Sequence, residues 1–434
     1  MIRAGVAEVD ITPPVGTCML EPPGIPTTGV YESLFCRALV LDDGRVRVAV
    51  VTLDLLGMDD VLVLATQNTV FERTGIAAAH LMLTATHNHS APVTLDCGQD
   101  EHRNRTWEAD LVNKIAECVA DAMETLQSVT LAVGREPVQI GSNRRISIMG
   151  RTRMLSNAHG PVIPHVDVLR VDAPNGDTLA VLFSHAAHPV IVHTASTQFN
   201  ADYPGAAVRT LRNTLGESVV PMFAQGCAAD INGDPLAGGH DHALAAGRRL
   251  GDAAIRAALK AQPIGDDVPI RIANREALLP FERIDPGVLD ALRTRIEESA
   301  KALPAHDPDP RMSHDQQIFV QWVERVADAP PGLRFHAQGI AFGDDLLLLG
   351  MTHELFAAYG LNIDARSPFA HTMAFAYTNG CRGYVPTAEA TYLGGYETDG
   401  APKLFGLPRL LPDCETLVHA VVDDVMRSLS SGGA

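Results

Sequence analysis

Short Val/Leu-rich runs alternating with longer amphipathic stretches constrain this chain more than any other feature. Apolar runs of strand length occur at 46–53, 80–85, 166–171, 179–184, 219–224, 346–350 and 373–377. Helical patterns occupy 107–125, 204–214, 242–261, 286–302, 355–360 and 417–428. This alternation predicts an α/β fold of mixed β-sheets flanked by helices, with strands buried on both faces. With 434 residues, 46% of them apolar, there is material for a large core, and no shift in composition divides it. The expectation is one domain over 1–434 with a helical excursion at about 283–335, where Pro304, Pro308, Pro310, Pro330 and Pro331 collect. No internal sequence repeat is visible.

The formal charge of −18 disfavours phosphate backbones and anionic membranes, so nucleic acid and stable membrane association are not expected. Neither a membrane-spanning apolar run nor a signal-peptide pattern is present, which makes the cytoplasm the expected location. Seven scattered cysteines without a C-x-x-C pair argue against a disulfide framework and a thiolate metal site. Association into a homo-oligomer is left open.

Several strand candidates end in a polar cluster. The run at 46–53 leads to Asp54, 80–85 to His87 and His89, 179–184 to His185 and His188, 219–224 to Gln225 and Asp230, and 346–350 to His353 and Glu354. Ligands gather outside the carboxyl ends of strands in open α/β sheets, so these ends predict one shared site. In Thr86-His87-Asn88-His89 the two imidazoles, two residues apart on extended chain, can face one pocket, although paired loop histidines on the surface are the competing reading. Among His185, His188 and His193 one or two can reach a common metal, and His185 reads better as a core histidine. Asp202 reads as a helix N-cap with a secondary pocket role, and Asp54 as a carboxylate that either orients a ligand histidine or is solvated. The tyrosines 384, 392 and 396 fall in a Gly-rich stretch suited to a pocket mouth or to ordinary turn packing.

Taken in order, these segments resemble the catalytic domain of the neutral/alkaline, non-lysosomal ceramidases. The resemblance rests on Ala4-Gly-Val-Ala-Glu-Val-Asp10-Ile-Thr-Pro13-Pro14, Thr84-Ala-Thr-His87-Asn-His89-Ser-Ala-Pro92, Ser142-Asn143-Arg144-Arg145 and Gly383-Tyr384-Val-Pro-Thr with Gly395-Tyr396-Glu397. It implies one zinc ion per chain held by His87, His188, Glu354 and Tyr384. It further implies catalytic roles for His89, Arg144 and Tyr396, with Asn232 at the site and Tyr392 on the substrate side; Asp230 and Asp202, read from their own segments, are further substrate-side candidates.

Two departures shape the expected chemistry. Asn232, in Ala229-Asp230-Ile231-Asn232-Gly233, stands where the family has a serine with an assigned catalytic role, and asparagine is no nucleophile. The sequence also ends where those enzymes continue into an immunoglobulin-like domain. The expected activity is therefore zinc-dependent hydrolysis of an amide, ester or lactone of a small molecule by metal-activated water. An isomerase or lyase, or a degenerate ligand-binding relative, are the alternatives.

Overall fold

The computed structural model describes residues 1–265, 268–301 and 314–430. Among them the backbone builds one topology three times. The first unit runs β1 (Arg3–Asp10), β2 (Phe35–Asp42), β3 (Arg47–Leu53), α1 (Asp60–Thr74), β4 (Leu81–Ala85), α2 (Arg105–Glu124). Here β1, β2 and β3 are antiparallel neighbours, and the chain crosses through α1 to lay β4 parallel to β3.

The second unit runs β5 (Thr130–Pro137), an inserted hairpin of β6 (Gly141–Ile148) and β7 (Arg151–Asn157), β8 (His165–Asp172), β9 (Thr178–His185), α3 (Asp202–Leu215), β10 (Val220–Gln225), α4 (His240–Lys260). The third runs β11 (Ile270–Pro280), inserted helices α5 (Pro286–Lys301) and α6 (His314–Arg325), β12 (Gly332–Phe342), β13 (Leu346–Met351), α7 (Ala357–Arg366), β14 (His371–Phe375), α8 (Ala388–Leu393), α9 (Cys414–Leu429). Sheet order repeats: β5, β8 and β9 are antiparallel with β10 parallel to β9, and β11, β12 and β13 are antiparallel with β14 parallel to β13.

The last helix of each unit packs on that unit's first strand. In two units that approach requires glycine: a Cβ on Gly5 would lie 1.9 Å from Ala122 O, and one on Gly134 would lie 2.3 Å from Ala257 O. Strand alternation then divides the core. Leu39, Leu41, Val48 and Val50 join Leu169, Leu182, Ile340 and Leu348 in a cluster shared by the inner faces of the three sheets. Their sequence neighbours Ala38, Val40, Ala49 and Val51 point outward beneath α1 and α2. The strands are thus buried on both faces, as their near-continuous apolar runs predict.

The excursion lies between paired strands β11 and β12; residues 302–313, with Pro304, Pro308 and Pro310, are outside the described residues. The helix expected at 355–360 begins at Ala357 and continues to Arg366, while Glu354–Leu355 pairs in parallel with Tyr384–Val385. Asp202 is not the N-cap of α3: Ala201 takes that position, and Asp202 is the first helical residue, in a left-handed conformation at φ 51°. No described helix is long and apolar enough to cross a membrane.

Candidate metal centre

The parallel pairs β3/β4, β9/β10 and β13/β14 bring their carboxyl ends together. Hydrogen bonds between units close the arrangement: Ala85 N donates to Tyr377 O (3.2 Å), Ala376 N to Gln225 O (3.1 Å) and Gln225 Nε2 to Thr86 O (3.3 Å). His87 follows β4, His188 follows β9, and Glu354 follows β13, so each unit supplies one group. The turns are tight enough to force non-glycine residues into left-handed backbone: His87 at φ 62°, His353 at 70° and Tyr377 at 53°. Such conformations cost about 1–3 kcal/mol each and persist where the surroundings dictate them.

Backbone carbonyls set the tautomers of the two ligand candidates. His87 Nδ1 donates to Leu56 O (2.7 Å), and His188 Nδ1 lies 2.8 Å from Ala228 O and 3.2 Å from Ile231 O. A carbonyl oxygen cannot donate, so both Nδ1 atoms carry the hydrogen and both Nε2 atoms present lone pairs. These lone pairs converge on the carboxylate of Glu354: His87 Nε2 is 3.2 Å and His188 Nε2 3.1 Å from Oε2.

Three acceptor atoms facing one another in a dry interior need either a proton or a cation between them. A proton on His188 is disfavoured, because burial and Arg144 push that ring down to about 4. His87 Nε2 has no hydrogen-bond partner despite its proximity to Glu354, so a proton there would not be aimed at the carboxylate. The chemistry of this donor set fits a divalent metal such as zinc. His89 adds a third imidazole: the ligand atoms of His87, His89 and His188 all lie within 4.8 Å of one another.

Tyr384 is in register with Glu354 in the short parallel pairing, and its ring lies parallel to that of His188 with centroids 6.5 Å apart. Its phenol oxygen accepts from Arg144 Nη2 at 3.2 Å. Arg144, on the inserted hairpin, is buried and also donates from Nη1 to Asn232 Oδ1 (2.9 Å) and from Nε to Glu397 Oε1 (2.9 Å). Glu397 bonds Arg145 as well. Tyr396, 38% exposed, meets Tyr384 edge-on at 5.8 Å and lies with its ring 5.8 Å from the Arg144 guanidinium.

The structure therefore brings His87, His89, His188, Glu354, Tyr384, Arg144, Asn232 and Tyr396 together. Other expected site residues are placed differently. Asp230 spends Oδ1 on Ala357 N (2.7 Å) and Oδ2 on Asn143 Nδ2 (2.9 Å), and Asp202 accepts from Val192 N (2.8 Å) and Tyr203 N (2.6 Å). Both buried carboxylates are thus committed to fixing loops. Tyr392, on α8, is 80% exposed. Asp54 does not orient a ligand histidine; it accepts from Phe35 N (2.9 Å) and Arg37 Nη1 (3.0 Å), and the Leu56 carbonyl performs that task for His87. His185 is a core histidine, its Nδ1 2.8 Å from His165 O.

Sequence reasoning overlooked Tyr377, whose ring stacks on His87 with centroids 4.0 Å apart and whose hydroxyl is buried without a partner. Its signal was present: it is the last residue of the strand candidate at 373–377, at the carboxyl end where polar groups collect. Glu397, the anchor of both arginines, lacked such a signal, because its partners lie about 250 residues away in sequence.

No protein-family model matches the sequence, and no curated protein does. Among solved structures, the neutral ceramidase from Pseudomonas aeruginosa superposes with a TM-score of 0.73 at 19% identity, covering 98% of this chain and 74% of that one. A ceramidase complexed with C2 gives 0.72 at 18% identity with the same coverage. At such identities the likeness is one of fold, and it extends over nearly all of the elements described above: this chain has a neutral-ceramidase-like fold.

Proposed function

We propose that this protein is a zinc-dependent hydrolase that cleaves an amide, or an ester or lactone, of a small molecule with water as the nucleophile. The observation that carries the reading is the convergence of two Nε2 lone pairs and a carboxylate oxygen within 3.2 Å, with both imidazoles anchored through Nδ1 to backbone carbonyls. Similarity of fold to ceramidases favours an amide substrate.

His87, His188 and Glu354 would hold the ion, with Tyr384 beside them. When bound, zinc supplies Lewis acidity toward a carbonyl and makes water a nucleophile near neutral pH. The chain's own groups do the rest. Burial pushes His89 well below the usual histidine range. It is therefore neutral at pH 7, free to accept a proton from water and return it to the leaving group. Arg144, held by Glu397 and Asn232, directs a fixed positive charge at the phenol of Tyr384 and toward the oxygen that gains charge in acyl transfer. Asn232 serves as a positioning group, its side-chain oxygen already engaged by Arg144.

Metal analysis of purified protein, combined with turnover of a panel of amides, esters and lactones before and after chelation, tests this reading. The expected result is one tightly held zinc per chain, activity lost with the ion, and solvent oxygen-18 incorporated into the acid product. Activity that persists in fully metal-free protein refutes it.

A further inference from the structure

We propose that Glu21, His89 and His193 form a second, weaker divalent-cation site, and that filling it takes His89 out of the reaction. Three segments distant in sequence create this cluster. The stretch at Met19–Glu21 lies against the loop after β4, with Met19 pairing to Pro92 and Leu20 N donating to Ala91 O at 3.0 Å. The loop after His188 is tied down by Asp202 Oδ2, which accepts from Val192 N at 2.8 Å, and this places His193 next to Glu21. His193 Nε2 is 3.9 Å from Glu21 Oε1, the His89 and His193 rings are 5.8 Å apart, and the three residues offer ligand atoms within 4.8 Å of one another.

The independent sign of a missing ligand is His89. Both of its ring nitrogens are buried, and neither has a hydrogen-bond partner. A neutral imidazole has one donor and one acceptor, and leaving such groups unpaired costs about 1–3 kcal/mol apiece. Among the described residues nothing answers them, whereas Nδ1 of both His87 and His188 meets a backbone carbonyl and both Nε2 atoms lie within 3.2 Å of the Glu354 carboxylate. Two imidazoles and a carboxylate suit zinc and neighbouring divalent transition metals.

The two sites differ in access. Side-chain exposure is 0–4% for His87, His188 and Glu354 but 22% for His193 and 26% for Glu21. Solvent therefore competes at the outer cluster, and it fills at higher metal concentration. His89 belongs to both neighbourhoods. Once its basic nitrogen is given to an outer cation it cannot accept a proton, so excess metal inhibits; this consequence rests on the hydrolase reading, while the site itself does not.

Zinc titrated into metal-free protein, with bound metal counted by calorimetry and mass spectrometry, tests both parts. Wild type should take two equivalents of unequal affinity, His193→Ala and Glu21→Gln should lose the weaker one, and His188→Ala should lose the tighter one. Hydrolysis by wild type should fall as the weaker equivalent binds, and that inhibition should vanish in His193→Ala and Glu21→Gln. A single equivalent in wild type, or two retained in both outer variants, overturns the second site. Loss of the weaker equivalent with no relief of inhibition overturns the regulatory part. A tight equivalent that survives in His188→Ala overturns the hydrolase centre instead, leaving the outer site standing.

Discussion

Replacing Glu354 by glutamine separates a metal ligand from an ordinary buried acid. In the metal-free protein the carboxylate faces two lone pairs, His188 Nε2 at 3.1 Å and His87 Nε2 at 3.2 Å. Zinc at about 100 times its dissociation constant adds about 2.7 kcal/mol to folding stability. For 434 residues the unfolding entropy at the midpoint is about 0.9 kcal/mol/K, so wild type should melt about 3 °C higher with zinc than after chelation. Glutamine removes the anion but supplies an N–H that can donate to one of the lone pairs. The metal-free variant should therefore melt no lower than metal-free wild type, and its shift on adding zinc should fall close to zero. Scanning calorimetry of both proteins, with and without zinc, measures all four midpoints. A retained zinc shift in Glu354→Gln would show that the carboxylate is not a ligand. A metal-free variant that melts several degrees below wild type would show that the carboxylate accepts real hydrogen bonds from the rings, and the argument from converging lone pairs would collapse.

Other perturbations probe the frame around the centre. Glu397→Gln removes the buried anion shared by Arg144 and Arg145 and should cost about 3–5 kcal/mol, read as a lower urea midpoint; a loss below about 1 kcal/mol would mean that the guanidiniums find water instead. Burial pushes the carboxyls of Asp202 and Asp230 up to about 6. Between about pH 4 and pH 6 the folded state keeps protons that the unfolded chain has released, so stability present below that window is lost on raising the pH through it, by about 3 kcal/mol per group. Urea titrations from pH 4 to 7 should show this decline, and Asp202→Asn should remove about half of it. On α4, a Cβ at Gly247 would sit 2.4 Å from Ala206 Cβ and 2.5 Å from Tyr203 O, so Gly247→Ala should force α3 and α4 apart at about 1–3 kcal/mol, again by urea midpoint.

Much of the fold was legible because the buried strands are nearly pure runs of apolar residues. The runs at 166–171 and 179–184 reappear as β8 and β9 with one residue added at each end. Strands such as β6 and β11 escaped notice because one face is partly exposed and carries Arg145 or Arg271, which dilutes the apolar signal. The threefold topology was invisible for a related reason. Each unit is stabilised by burial, which many apolar sequences satisfy, so the units need share no residues beyond a glycine such as Gly5 or Gly134 where helix meets strand. Ligand candidates were legible as polar residues just past strand ends, but their anchors were not. The partners of His87 and His188 are the carbonyls of Leu56, Ala228 and Ile231, and a carbonyl leaves no trace in residue type.

The repeat also explains why one centre can gather chemically different groups. The segments just past the third strand of each unit hold Asp54, His188 and Glu354, and those at or just past the end of the fourth hold His87, Gln225 and Tyr377. Two of the six have become ties: Asp54 bonds Arg37 within its own unit, and Gln225 Nε2 meets Ala187 O and the Tyr203 hydroxyl in its own unit and donates to Thr86 O across to the first. The remaining four surround the point where the lone pairs meet. A rigid seam built by the ties can hold the left-handed turns at His87, His353 and Tyr377, and those turns aim the ligand side chains inward. Weakening a tie should therefore loosen metal affinity without touching a ligand. Gln225→Leu, which breaks the bridge between β10 and the turn before His87, should lower zinc affinity by about 10–100-fold, the range seen when groups supporting metal ligands are removed. Competition against a chromogenic chelator reads that change directly; affinity equal to wild type would mean that the turn at His87 holds its shape without the bridge.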